Sequence, residues 1–127
     1  MSDLSAPQQA MALFIDAFNR EDQEALNRLS SAPWVFVIVS KSMVYDKYSD
    51  AIDFLALKKG GWDHTRVDAN KLIYEDSDTA MVQLDMTRLT NENEVQNENE
   101  VLYVLVKEEG QWKPKVAISG KPVITGK

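Results

Sequence analysis

The chain has no cysteine and one histidine, His64. The first absence removes disulfides, thiol nucleophiles and thiolate metal sites. The second removes every mechanism or metal centre that needs two imidazoles, multi-histidine zinc and iron sites included. Basic residues are in deficit, 14 against 20 acidic ones, which gives a formal charge of −6. A surface of that sign repels a phosphate backbone and an anionic membrane, and no run of Lys or Arg offsets it. No apolar stretch approaches the ~20 residues of a membrane span. Met1-Ser2-Asp3-Leu4 lacks the basic and apolar regions of a signal peptide. The expectation is a cytoplasmic protein with no nucleic-acid partner, no membrane partner and no cofactor.

What is present is an ordinary globular composition, 44% apolar and 27% charged over 127 residues. That length makes one domain with a real core. The most telling stretch is Val101-Leu102-Tyr103-Val104-Leu105-Val106, followed by Lys107-Glu108-Glu109-Gly110 and then Gln111-Trp112. A strand apolar on both faces must be covered on both sides. Helices of the same chain would cover one face and a partner subunit the other.

The rest of the chain reads as helices first and strands after. Ser5-Ala6-Pro7-Gln8 has the form of a capping box with Pro in the first turn. Ala10, Met11, Phe14, Ile15 and Phe18 then follow at helical spacing. Asp22 caps a second helix with Ala25, Leu26 and Leu29 inward. Trp34 to Val39 is a β-rich run, Ser40-Lys41-Ser42 a turn, and Met43-Val44-Tyr45 a short returning strand. Ser49-Asp50 opens a third helix with Ile52, Leu55 and Leu57 inward, which stops at Gly60-Gly61. Strands follow over 65–74, 79–90, 95–107 and 112–119, with short hairpin turns at 75–78 and 108–110. Residues 121–127 read as a poorly ordered tail.

Asn91-Glu92-Asn93-Glu94-Val95 is nearly repeated as Asn97-Glu98-Asn99-Glu100-Val101. A calcium loop would need acids at fixed alternating positions around a central Gly, which is missing. The stretch reads as a solvated hairpin tip whose charges keep strand edges from pairing with neighbours.

With Ala17-Phe18-Asn19-Arg20-Glu21-Asp22 early, Asp78-Thr79-Ala80-Met81-Val82 in the middle and Glu109-Gly110-Gln111-Trp112-Lys113 late, the chain resembles the nuclear-transport-factor-2-like, or SnoaL-like, superfamily. The first segment looks like that superfamily's A-F-N-x-x-D between helices one and two, and the last like its D/E-G-x-W-K hairpin. These motifs mark a fold and carry no chemistry. The resemblance implies an α+β roll of the cystatin-like kind: a curved antiparallel or mixed sheet of about six strands, wrapped as a cone around a long N-terminal helix, with three helices in all. The domain would span 6–119, with short tails at 1–5 and 120–127. It further implies an apolar pocket at the open end and a homodimer through the outer face of the sheet. Members of the superfamily include isomerases, dehydratases, epoxide hydrolases, polyketide cyclases and modules that catalyse nothing, so the fold does not choose among functions.

Each known chemistry can be tested against the residues. An isomerase of the ketosteroid type needs a carboxylate on the first strand and a Tyr on the first helix; Trp34 to Val39 holds no acid, and the helix offers Phe14 and Phe18. An epoxide hydrolase needs an Asp-Arg-Asp set; Arg66 and Asp68 share a strand face, but the last strand supplies no acid, and the pair reads as a solvated ion pair. A dehydratase of the scytalone type needs two His. A Gly-x-Ser-x-Gly elbow is absent.

His64 remains as a candidate general acid or base at the rim of the cone, against the plainer reading of a surface His beside a turn. Arg88 shares a strand face with Ala80, Val82, Leu84 and Met86, which carries it toward the pocket mouth, where it would either hold a carboxylate or reach solvent. Tyr103, Tyr45 and Trp62 are candidate lining residues or simply core. Three functions stay open: an uncharacterised domain binding a small apolar oxygenated ligand, a non-catalytic dimerisation or protein-interaction module with a filled cone, and a weak acid/base enzyme of cyclase, isomerase or dehydratase type using His64.

Overall fold

The computed structural model describes residues 3–127. Three α-helices lead or interrupt the strands: α1 (Pro7–Asn19), α2 (Gln23–Leu29) and α3 (Phe54–Lys59). Six strands complete the chain: β1 (Trp34–Ile38), β2 (Lys41–Tyr45), β3 (His64–Glu75), β4 (Thr79–Leu89), β5 (Val95–Glu108) and β6 (Gln111–Ser119). The α+β architecture is the one the sequence reading expects.

The helix starts differ from that reading in two places. Ser5 belongs to a 3-10 turn over Asp3–Ser5, and α1 begins at Pro7 behind Ala6, which makes no side-chain cap. Gln8 is drawn away to the sheet, where its amide donates to the Asn70 carbonyl at 2.8 Å and Asn70 returns a bond to the Gln8 carbonyl at 3.0 Å. Ser49-Asp50 lies within a second 3-10 turn, Tyr48–Ala51, and the cap of α3 is Asp53, whose carboxylate accepts from the Ala56 N–H. With the helix starting there, Phe54 and Leu57 take the inner face and Leu55, expected inward, is exposed. Asp22 caps α2 as expected, accepting from the Ala25 N–H at 3.0 Å.

The six strands form one sheet in the order β2-β1-β6-β5-β4-β3, antiparallel throughout except for the parallel β1–β6 pair. Register shifts at Val67/Ala69 and Leu72/Tyr74 in β3, at Arg88/Leu89 in β4 and at Val104/Leu105 in β5 bend and twist it. Pro114 sits at the last of these, facing Leu105, where its missing N–H breaks no ladder. The β5–β6 hairpin turns on Glu109 and Gly110, both at positive φ (52° and 78°), as a two-residue primed turn requires.

The concave face of the sheet closes on α1. Ala10, Met11, Phe14, Ile15, Ala17 and Phe18 are all buried, in the pattern their spacing predicts. The conformation of 121–127 departs from the sequence reading: the segment lies across the open end of the sheet and is bonded there. The Asp53 N–H donates to the Thr125 carbonyl at 2.9 Å, and the Asn99 side chain donates to the Pro122 carbonyl at 3.2 Å. Low propensity for regular structure says nothing about docking by side chains distant in sequence.

Stability should follow this layering. Phe14→Ala is expected to cost about 3–5 kcal/mol and Asp22→Ala about 1 kcal/mol, both read as shifts in urea midpoint at unchanged slope.

Candidate functional site

Between α1 and the open end of the sheet a cavity of about 40 Å³ remains, room for roughly three waters at ~10–15 Å³ each. Its apolar wall comes from α1 through Ile15 and Phe18, from β1 through Phe36 and Ile38, and from β4 and β5 through Met86 and Val101. Its polar groups are Arg88, Tyr48, Tyr103, Thr65, Asn99 and Ser119.

Arg88 reaches the cavity for the reason its strand parity gives, while Asp85 falls on the opposite face and pairs with Lys71 at 3.3 Å. Arg88 forms no ion pair among the described residues. Its hydrogen-bond partner among the described residues is neutral: Nη1 donates to the Ile124 carbonyl at 2.6 Å. Burial lowers its pKa from the ordinary guanidinium value, opposed by Tyr48 and Tyr103, yet guanidinium remains a cation throughout the physiological range.

The two phenols flank that charge. Tyr103 is 7% exposed and Tyr48 5% exposed, and neither hydroxyl has a hydrogen-bond partner among the described residues. Burial pushes the Tyr103 phenol up to about 12, partly countered by Arg88. Burial raises Tyr48 further, joined by the repulsion of Tyr103 and opposed by Arg88. Both are therefore neutral O–H donors at the cavity wall and cannot serve as phenolates near neutrality.

The sequence candidates divide. Arg88 and Tyr103 line the cavity. His64 does not: the strand alternation that turns Thr65 inward turns His64 away, and its Nδ1 lies 2.8 Å from Asp63 Oδ2 in a pair roughly a third exposed. The Asp63 carboxyl is held below its ordinary value chiefly by that hydrogen bond. Trp62 stands one layer behind the wall, 2% exposed. It packs edge-on against Phe18 at 5.2 Å, and its Nε1 donates to Thr65 Oγ1 at 3.0 Å. Tyr45 lies edge-on to Phe36 at 6.3 Å and lines a neighbouring hollow instead. The Arg66–Asp68 pair (2.7 Å) is solvated, with Asp68 also bonded to Thr87 of β4.

Four polar lining residues, Thr65, Asn99, Ser119 and Tyr48, were not singled out from sequence. Asn99 alternates with Val101 and Tyr103, and Ser119 with Ala117, so parity alone could have found them. Tyr48 carried no such signal, because Asp46, Lys47, Ser49 and Asp50 surround it with charge and polarity, and only the 3-10 turn brings it inward.

The raised phenol has a consequence with a definite sign. Between pH 10.0, where an unfolded Tyr ionises, and about 12, where Tyr103 does, the unfolded chain has lost a proton that the folded one keeps. Stability therefore falls as pH rises through that window. Tyr103→Phe is expected to lose less stability than the parent between neutral pH and a pH of about 11, measured by urea denaturation at each pH.

No curated protein sequence matches the chain. Solved structures do. A ketosteroid isomerase-like protein from Erwinia carotovora atroseptica superposes with a TM-score of 0.65 at 18% identity, over 92% of this chain and 94% of that one. A candidate dehydratase of the NTF2-like family from Streptomyces avermitilis gives 0.67 at 16% identity, over 96% of each chain. An NTF2-like protein with a cystatin-like fold from Novosphingobium aromaticivorans gives 0.66 at 13% identity, over 87% and 76%. At such identities the likeness concerns the fold alone. The family model described as NTF2-like protein (DUF6841) matches residues 7–121, nearly the whole length, and the chain belongs to that NTF2-like family of unknown function.

Proposed function

We propose that this domain binds a small apolar molecule bearing a carboxylate or similar oxygen anion in the cone, without being built for catalysis. The observation that carries the reading is Arg88: a half-buried guanidinium in an apolar cavity, bonded to a neutral carbonyl and to no carboxylate among the described residues. An unpaired charge taken out of water is costly, and a site that keeps one is suited to an ionic partner from outside. A carboxylate would accept from Arg88 with charge assistance. The Tyr48 and Tyr103 hydroxyls, neutral and otherwise unpartnered, would donate to the same oxygens. His64 stands outside the cavity lining, so no general base with access to that ligand is assigned.

A second reading concerns assembly. On the convex face Val35, Val116 and Val104 align across β1, β6 and β5, and Val37, Ile118 and Leu102 align beside them. All six are only partly buried by the chain itself, and such a block on a sheet face is the surface a second copy would cover. A stable pairing there would bury about 1,200–2,000 Å² in total.

Decanoate, an apolar carboxylate, tests the first reading by calorimetry. Arg88→Met is expected to weaken its binding at least tenfold, or about 1.4 kcal/mol, with Tyr103→Phe weakening it less. Undiminished decanoate affinity in Arg88→Met would sink the reading. For assembly, sedimentation should give a dimer that Val104→Glu converts to monomer; a parent protein that sediments as a monomer at high concentration would refute it.

A further inference from the structure

The residues after Gly120 form no strand or helix, yet the cone grips their backbone as it would grip a ligand. Arg88 donates to the carbonyl of Ile124 at 2.6 Å, Asn99 to that of Pro122 at 3.2 Å, and the Asp53 N–H to that of Thr125 at 2.9 Å. None of these bonds belongs to the β-ladder. At the far end Gly126 is wedged against the start of α3: with φ of 86°, a Cβ there would come within 2.4 Å of the Asp53 carbonyl oxygen.

Val123 occupies the space between these grips. It lines the cavity that holds Arg88, and it also lines a second hollow of about 380 Å³ walled by Met43 and Tyr45. Phe36 and Ile38 likewise face both hollows. The two spaces thus share Phe36, Ile38 and Val123 as a common wall, and the peptide lies between them. Without that peptide, Tyr45 would share a chamber with Arg88 and Tyr103, and its size would reach the ~300–1,000 Å³ of small-molecule sites.

We infer that segment 121–127 is an internal occupant of the ligand chamber, which an apolar anion must displace to bind. This rests on the ligand-binding reading above. The exchange is chemically ordered: a carboxylate is a stronger acceptor for guanidinium than the Ile124 carbonyl it replaces, and an acyl chain takes the volume of Val123. At the base of the segment no heavy atom outside the adjacent residues lies within 4 Å of where a Gly120 Cβ would stand. Lys121 is tied back to Ser119, whose hydroxyl donates to the Lys121 carbonyl at 2.8 Å and accepts from the Lys121 N–H at 3.2 Å; displacement would therefore begin beyond Lys121.

The test compares the parent with a chain ending at Gly120 and with Gly126→Val, neither of which alters Arg88, Tyr48 or Tyr103. Calorimetry with decanoate is paired with hydrogen exchange of the segment's amides in the parent, and circular dichroism verifies that each variant is folded. Both opened forms are expected to bind at least about tenfold more tightly, since apparent affinity scales with the fraction of molecules whose site is free. Decanoate should also raise exchange in 121–127 of the parent while the strands stay protected. Equal affinity in all three proteins, with the segment's amides still protected under saturating decanoate, would overturn the inference and leave the ligand reading standing. Absence of binding in all three would overturn both.

Discussion

Phe14 is the contact on which the cone depends. It is fully buried on α1, and its ring meets Trp34 of β1 at 5.9 Å, Tyr48 of the 3-10 turn at 4.8 Å and Tyr103 of β5 at 6.4 Å. β1 and β5 are separated in the sheet by β6, so one ring can touch both only if the sheet curves around the helix. Two of its three aromatic neighbours supply the cavity hydroxyls. The residue that fixes the curvature therefore also fixes where Tyr48 and Tyr103 stand, and helix packing and site geometry cannot be varied independently.

A second tie acts at the other end of α1. The Asn19 amide donates to the Thr65 carbonyl and accepts from the Thr65 N–H, both at 2.8 Å, in the manner of a strand neighbour. The A-F-N-x-x-D segment that first suggested the family thus has a physical content. Phe18 faces the cavity, Asn19 anchors the start of β3, and Asp22 caps α2. Trp62 completes the arrangement by bonding Thr65 Oγ1 from below.

Most of the fold was legible because it is written in local periodicity. Six strands and the burial of α1 follow from alternation and helical spacing, and Arg88 follows from the parity of β4. What was not legible depended on contacts between distant segments. Gln8 looked like a capping residue but bonds Asn70, because the sheet offers it a better partner than its own backbone does. Tyr48 is hidden among polar neighbours. His64 was singled out for its chemistry, and chemistry does not decide which side of a strand a residue takes; Thr65, one residue on, holds the inward place. The C-terminal segment is the largest gap, since seven residues with weak propensity can be ordered by three carbonyls that bond to Arg88, Asn99 and Asp53.

The same segment explains how a cavity with a cation in it can be stable when no ligand is there. An open cone would leave Arg88 and two undirected phenols facing largely apolar walls, with Thr65, Asn99 and Ser119 as the other polar groups within the cavity lining. With Val123 in its wall, the cavity measures about 40 Å³, and the guanidinium keeps one short bond to the Ile124 carbonyl. That carbonyl satisfies a donor without neutralising the charge, so the electrostatic field that would attract an anion persists. The charges elsewhere behave differently: Arg66 with Asp68, Lys71 with Asp85 and Lys58 with Glu21 are exposed and paired, and such pairs contribute little. At Arg88, by contrast, a half-buried cation that lines the cavity has no carboxylate among the described residues, and its neutral acceptor is one that a carboxylate can outcompete.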